Sequence, residues 1–96
     1  MARIEIEWLD DTSDCETCGI SYAEGASVRV DGVTVIEMTP RAHCFGGDNY
    51  YDAVVWLAVL AHFGLAIAVP PGDDVGEAAQ SLLRRQGHTV EAERFF

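Results

Sequence analysis

The segment Val28-Arg29-Val30-Asp31-Gly32-Val33-Thr34-Val35 constrains the fold more than any other. Asp-Gly between alternating valines accepts the positive φ angles that a two-residue hairpin turn demands. It predicts two antiparallel strands, Tyr22 to Val30 and Val33 to Met38. Val30 then faces Val33 and Val28 faces Val35, giving one apolar side. Upstream, Ile4, Ile6 and Trp8 alternate with Glu5 and Glu7, the period of a half-buried strand. Asp10 to Gly19 reads as a polar loop between strands.

The second half of the chain changes period. Asp48 or Asn49 is placed to cap a helix from about Tyr50 to Phe63, with Gly64 as its stop. Its interior, Val54-Val55-Trp56-Leu57-Ala58-Val59-Leu60, is apolar nearly all round, so the helix is buried on several sides or contributes to an interface. A homodimer through this helix is compatible with that composition. Pro70-Pro71-Gly72 breaks the chain. Asp73 or Asp74 opens a second helix, in which Val75, Ala78, Ala79, Leu82 and Leu83 recur at helical spacing. Arg84 and Arg85 fall in its last turn, where the dipole favours cations, and Gly87 ends it. His88 to Phe95 reads as a final strand. The expected order is β-β-β-α, a short strand before the second helix, then α-β. That is one α+β domain over residues 1–96, a small and mainly antiparallel sheet of about four strands packed against two helices.

With 96 residues the chain has room for one core, and at 49% hydrophobic it has the material for it. The formal net charge is -10, all basic residues are arginine, and residues 1–48 carry -7 of that charge. Such a domain repels nucleic acid, whose binding replaces phosphate counterions with cationic side chains, and it avoids anionic membranes. The partners it favours are a basic protein surface or a metal ion. Solubility, or adaptation of the surface to high salt, accounts for the same charge without a partner. Ala53 to Val69 is apolar apart from His62 and Gly64, but it is short for a membrane span and is flanked by Asp48, Asp52, Asp73 and Asp74. Met1-Ala2-Arg3-Ile4-Glu5 lacks the pattern of a signal peptide, and the expected location is the cytoplasm.

Cys15-Glu16-Thr17-Cys18-Gly19 is a CxxC whose two thiolates could grip one face of a tetrahedral zinc ion. Cys44 and the adjacent His43, or His62, would supply the other half. Two readings stand beside zinc: thiols that pack as small apolar groups, and a redox pair. The redox pair is opposed by Asp14 and Glu16, which disfavour a thiolate. Catalysis by Cys44 with a histidine base is disfavoured too, because adjacent side chains on extended chain point to opposite sides. The chain therefore reads as non-enzymatic.

Glu5, Glu7, Asp10, Asp11, Asp14 and Glu16 lie together with no base among them. Glu5 and Glu7 share a strand face about 7 Å apart, a spacing that can imitate duplex phosphates. Glu91 and Glu93 repeat it near the end of the chain. The alternative is that these are the solvated faces of amphipathic strands. The acidity, the absence of lysine, and the segments Asp14-Cys15-Glu16-Thr17-Cys18-Gly19 and Pro40-Arg41-Ala42-His43-Cys44-Phe45-Gly46-Gly47 resemble short phage- and prophage-carried proteins, among them inhibitors of host defence of the anti-CRISPR type. The resemblance implies an acidic decoy that blocks a basic, nucleic-acid-handling complex of the host, possessing no motif through which individual residues could be assigned. A small zinc-stabilised adaptor, contacting its partner through Trp56 or Phe95-Phe96, is the alternative, and a thiol redox protein is the third.

Overall fold

The computed structural model describes residues 1–17, 19–43 and 46–92. Strand β1 (Arg3–Cys15) starts on the Ile4, Ile6, Trp8 alternation and continues well past it. The expected loop from Asp10 to Gly19 is instead the far half of a long hairpin with β2 (Gly19–Val30), in register from Ile4↔Val30 to Cys15↔Gly19. Asp10 to Cys15 carry no apolar period, so the backbone ladder rather than side-chain burial keeps them extended. The turn into β3 (Val33–Met38) has Asp31 at φ 51 and Gly32 at φ 83, the left-handed pair that Asp-Gly supplies. Val30 faces Val33 as expected. A bulge between Val28 and Arg29 then shifts the register, so Val28 faces Ile36 rather than Val35.

After β3 the chain forms a small hairpin, β4 (Arg41–His43) with β5 (Gly46–Asp48). Gly46-Gly47, which in sequence resembles a turn into a helix, is part of that ladder. Helix α1 (Asp52–His62) begins later than expected. Its N-cap is Tyr51, with no side-chain cap, because Asn49 is engaged elsewhere. Helix α2 (Val75–Arg85) is capped by Asp74, whose carboxylate accepts from the Gly76 and Glu77 N–H groups at 2.9 and 3.3 Å. Residues 65–74 join the helices without a strand. Strand β6 (Thr89–Glu91) is shorter than the expected His88 to Phe95, of which Glu93 to Phe95 lie outside the described residues.

The main sheet has the order β3-β2-β1-β6, antiparallel except for β6, which runs parallel to β1. The fold is α+β. The helices cover one face of the sheet's near half, where Ile4, Ile6, Ala26, Val28 and Val90 pack against Val55, Trp56, Val59, Leu60, Ala79 and Leu83. Gly76 lets the helices close on each other, since a Cβ there would stand 2.8 Å from the Trp56 Nε1. His88 ties the N-terminus to this end of the sheet, its Nδ1 accepting the Ala2 N–H at 3.1 Å. No helix among the described residues is long and apolar enough to cross a membrane.

Candidate partner-binding site

Strand β3 pairs with β2 only from Ala26 to Val30, and β6 pairs with β1 only from Arg3 to Glu5. Beyond those limits β1 and β2 run on as a two-stranded ribbon, consistent with a longest dimension of 49 Å. Residues opposite each other on antiparallel strands share a face. One face of the ribbon therefore carries the rungs Asp10/Glu24, Thr12/Tyr22 and Asp14/Ile20. All six side chains are exposed, with Tyr22 at 71% and Ile20 at 59%. Two large apolar groups thus stand in solvent within a frame of carboxylates.

The other face carries Asp11/Ala23, Ser13/Ser21 and Cys15/Gly19, and it is partly covered. The chain leaving β3 crosses it at Gly25, where a Cβ would collide with the Met38 carbonyl and stand 2.9 Å from the Pro40 Cδ. Asp11 then fixes β4 in place, its Oδ2 accepting the Ala42 N–H at 2.8 Å. Ala23 and Ala42 are buried beneath this crossing. Small residues at positions 23 and 25 are what allow it.

At the base of the sheet the electrostatics differ. Arg3 bonds Glu91 at 2.9 Å and lies 3.6 Å from Glu5, while Arg29 lies 3.8 Å from both Glu5 and Glu7. The hydrogen bond that Arg3 donates to Glu91, then the charges of Glu91 and Glu5, hold its guanidinium above the ordinary pKa. Three carboxylates and two guanidinium groups thus alternate across β6, β1 and β2. Glu5 and Glu7 share a face, as their spacing requires, with their charge offset by arginines from a neighbouring strand and from their own.

The acidic residues singled out in the sequence therefore divide. Glu5 and Glu7 join the ion-pair ladder, Asp10 and Asp14 stand on the exposed ribbon face, and Asp11 lies on the opposite face. Glu16 is exposed at the ribbon's turn. Of the expected metal ligands, Cys15 is half-buried on the Asp11 face and His43 ends β4, which lies across that same face. Cys18 and Cys44 lie outside the described residues. His62 is exposed at the end of α1, with the Phe63 ring 5.1 Å away. The described residues include no cluster of three or more His, Cys, Asp or Glu arranged to hold a metal.

Trp56, expected as a partner contact, is only 2% exposed and packs in a tilted arrangement, centroids 6.1 Å apart, against Trp8, whose Nε1–H donates to the Ala92 carbonyl at 2.9 Å. Phe95 and Phe96 lie outside the described residues. Helix α1 does leave Tyr51, Val54 and Leu57 exposed. Ile20, Tyr22 and Glu24 are the residues that sequence reasoning missed. Their alternation with Ser21 and Ala23 was the available signal, hidden because neither set is uniformly apolar.

Comparisons with protein-family models, curated proteins and solved structures find no match to this chain.

Proposed function

We propose that this chain is a non-enzymatic binding protein of the cytoplasm, whose ribbon tip docks on a basic surface of a nucleic-acid-handling protein complex. One observation carries the reading: the Asp10/Glu24 rung sets two carboxylates directly opposite each other, beside exposed Tyr22 and Ile20. Like charges opposed across strands destabilise a hairpin, and exposed aromatic and aliphatic side chains contribute nothing to its core. A cationic, partly apolar partner surface turns both features into favourable contacts. The overall charge of -10 speeds approach to such a surface and opposes direct contact with nucleic acid or an anionic membrane. The resemblance to anti-CRISPR-type inhibitors narrows the partner to a host-defence complex whose basic channel the acidic ribbon would occupy in place of nucleic acid.

The test is capture of partners from host lysate at low salt, followed by competition with duplex nucleic acid. The triple variant Asp10→Lys, Asp14→Lys, Glu24→Lys should release the captured complex, whereas Glu5→Gln with Glu7→Gln should retain it. Retention by the triple variant, or indifference to nucleic acid and salt, overturns the reading.

A second reading, a zinc-stabilised adaptor, draws on the Asp11–Ala42 hydrogen bond, which holds the strand of His43 on the face that carries Cys15. Metal analysis of protein purified without added zinc tests it, with Cys15→Ser expected to remove the metal and lower the melting temperature.

A further inference from the structure

We infer that β1 receives an extended basic segment of the partner as an added strand along its open edge at Asp10, Thr12 and Asp14. This rests on the basic-partner reading above and specifies how the partner is gripped.

The direction of the backbone groups carries the inference. The Arg3 N–H donates to the Asp31 Oδ1, and the Arg3 carbonyl accepts the Asp31 N–H, both at 2.9 Å. Odd-numbered residues of β1 therefore point their backbone groups toward β2. The Ala2 carbonyl accepts the Thr89 N–H at 2.9 Å, so even-numbered residues point toward the opposite edge. The two-residue period of a strand extends this to Asp10, Thr12 and Asp14, well past Glu5, where the register with β6 ends. Among the described residues no strand pairs with this edge beyond Glu5, so their N–H and C=O groups form a row that another chain can join.

The corresponding edge of β2 is treated differently. Strand β3 pairs with it down to Ala26. At Glu24 the N–H donates to the Asn49 Oδ1 at 2.8 Å, and the carbonyl accepts the Tyr50 N–H at 2.7 Å. Among the described residues, the β2 edge is thus closed by the chain's own groups down to Glu24, while the β1 edge is paired only up to Glu5.

Charge selects what pairs there. A second copy added antiparallel about Thr12 would set Asp10 against Asp14 twice, and like charges in that position are destabilising. A strand with lysine or arginine two residues before and two after the residue facing Thr12 sets a cation against each aspartate. A five-residue guest spans the site. Pairing at these positions also puts its cations on the face that carries Tyr22 and Ile20, where their alkyl stems find apolar surface.

The probe is a nine-residue peptide alternating lysine with valine or threonine, compared with the same peptide methylated on its lysine amides. The charges are identical, but the methylated form loses the donors that would face β1. Binding of the first peptide should slow hydrogen exchange at the Asp10, Thr12 and Asp14 amides, and methylation should weaken it by about tenfold or more, the loss of one or two net hydrogen bonds. Thr12→Pro in the protein should do the same, since it removes an edge donor that no strand among the described residues uses. Equal binding of both peptides overturns strand addition and leaves the basic-partner reading standing. Failure of both to bind at low salt overturns the two together. The methylated peptide keeps the inference falsifiable even if Thr12→Pro does not fold.

Discussion

Strands β1 and β2 share one register from end to end, yet their two halves are built on different principles. In the base, Ile4, Ile6, Ala26 and Val28 are buried under two helices, and the outward carboxylates Glu5 and Glu7 meet Arg3 and Arg29. In the tip, the side chains of the rungs Asp10/Glu24, Thr12/Tyr22 and Asp14/Ile20 are exposed, and among the described residues none of them forms an ion pair with an arginine. A hairpin needs only its ladder and a turn to continue, so the tip inherits its geometry from the base and is free to carry side chains chosen for something other than folding. Residues that make the isolated fold worse are the place to look for function.

The largest expected contrast is in stability. Leu83 and Val28 are fully buried in the base layer. Leu83→Ala should cost about 2–5 kcal/mol in chemical denaturation, the usual range for a large-to-small core change, with Val28→Ala somewhat lower. Tyr22→Ala at the tip should change stability by under about 0.5 kcal/mol while weakening partner capture. A tip variant as damaging as a base variant would show that the ribbon belongs to the core.

The junction between the halves gives the next effect. Gly25 lies under Met38 and Pro40, and any Cβ there meets the Met38 carbonyl. Gly25→Ala should cost about 1–3 kcal/mol, as overpacking does. It should also loosen β4 from the ribbon, read as faster exchange of the Ala42 amide that Asp11 accepts. Unchanged stability would mean the crossing shifts freely and does not divide base from tip.

The same division explains what the sequence disclosed. The base was legible because burial writes a period into the chain. The Ile4–Ile6–Trp8 alternation, the Asp31-Gly32 turn, the helical spacing of Val75 to Leu83 and the stops at Gly64 and Gly87 each follow from a local requirement. The bulge that sets Val28 against Ile36 was not legible, because it depends on how β3 meets the sheet rather than on any residue type. The α1 cap was missed for a related reason: Asn49, a good capping residue, bonds the Glu24 N–H of a strand 25 residues away. The β1 side of the tip, Asp10 to Cys15, is not legible as strand, since its polar residues show no two-residue apolar pattern, and its acids stand in the sequence as one cluster. Only the fold separates them, giving Glu5 and Glu7 to arginines, Asp11 to β4, and Asp10 and Asp14 to solvent.

That separation leads to the smallest effect and the most direct comparison, one chemical change made in both halves. Glu5→Gln removes a carboxylate that two arginines approach, so it should destabilise by up to about 1 kcal/mol, the upper range for exposed pairs. Asp10→Asn removes a carboxylate that faces Glu24 across the hairpin, so it should leave stability unchanged or raise it by a few tenths of about 1 kcal/mol. Both differences should shrink as salt is added, since exposed charges are screened over about 8–10 Å at ordinary ionic strength. Partner binding should respond in the reverse order, with Asp10→Asn weakening it and Glu5→Gln leaving it nearly intact. A like-charged rung whose removal helps the fold and harms binding has its explanation in the partner. If Asp10→Asn instead destabilises as much as Glu5→Gln does, Asp10 supports the fold, and the tip's charge loses its claim to a separate role.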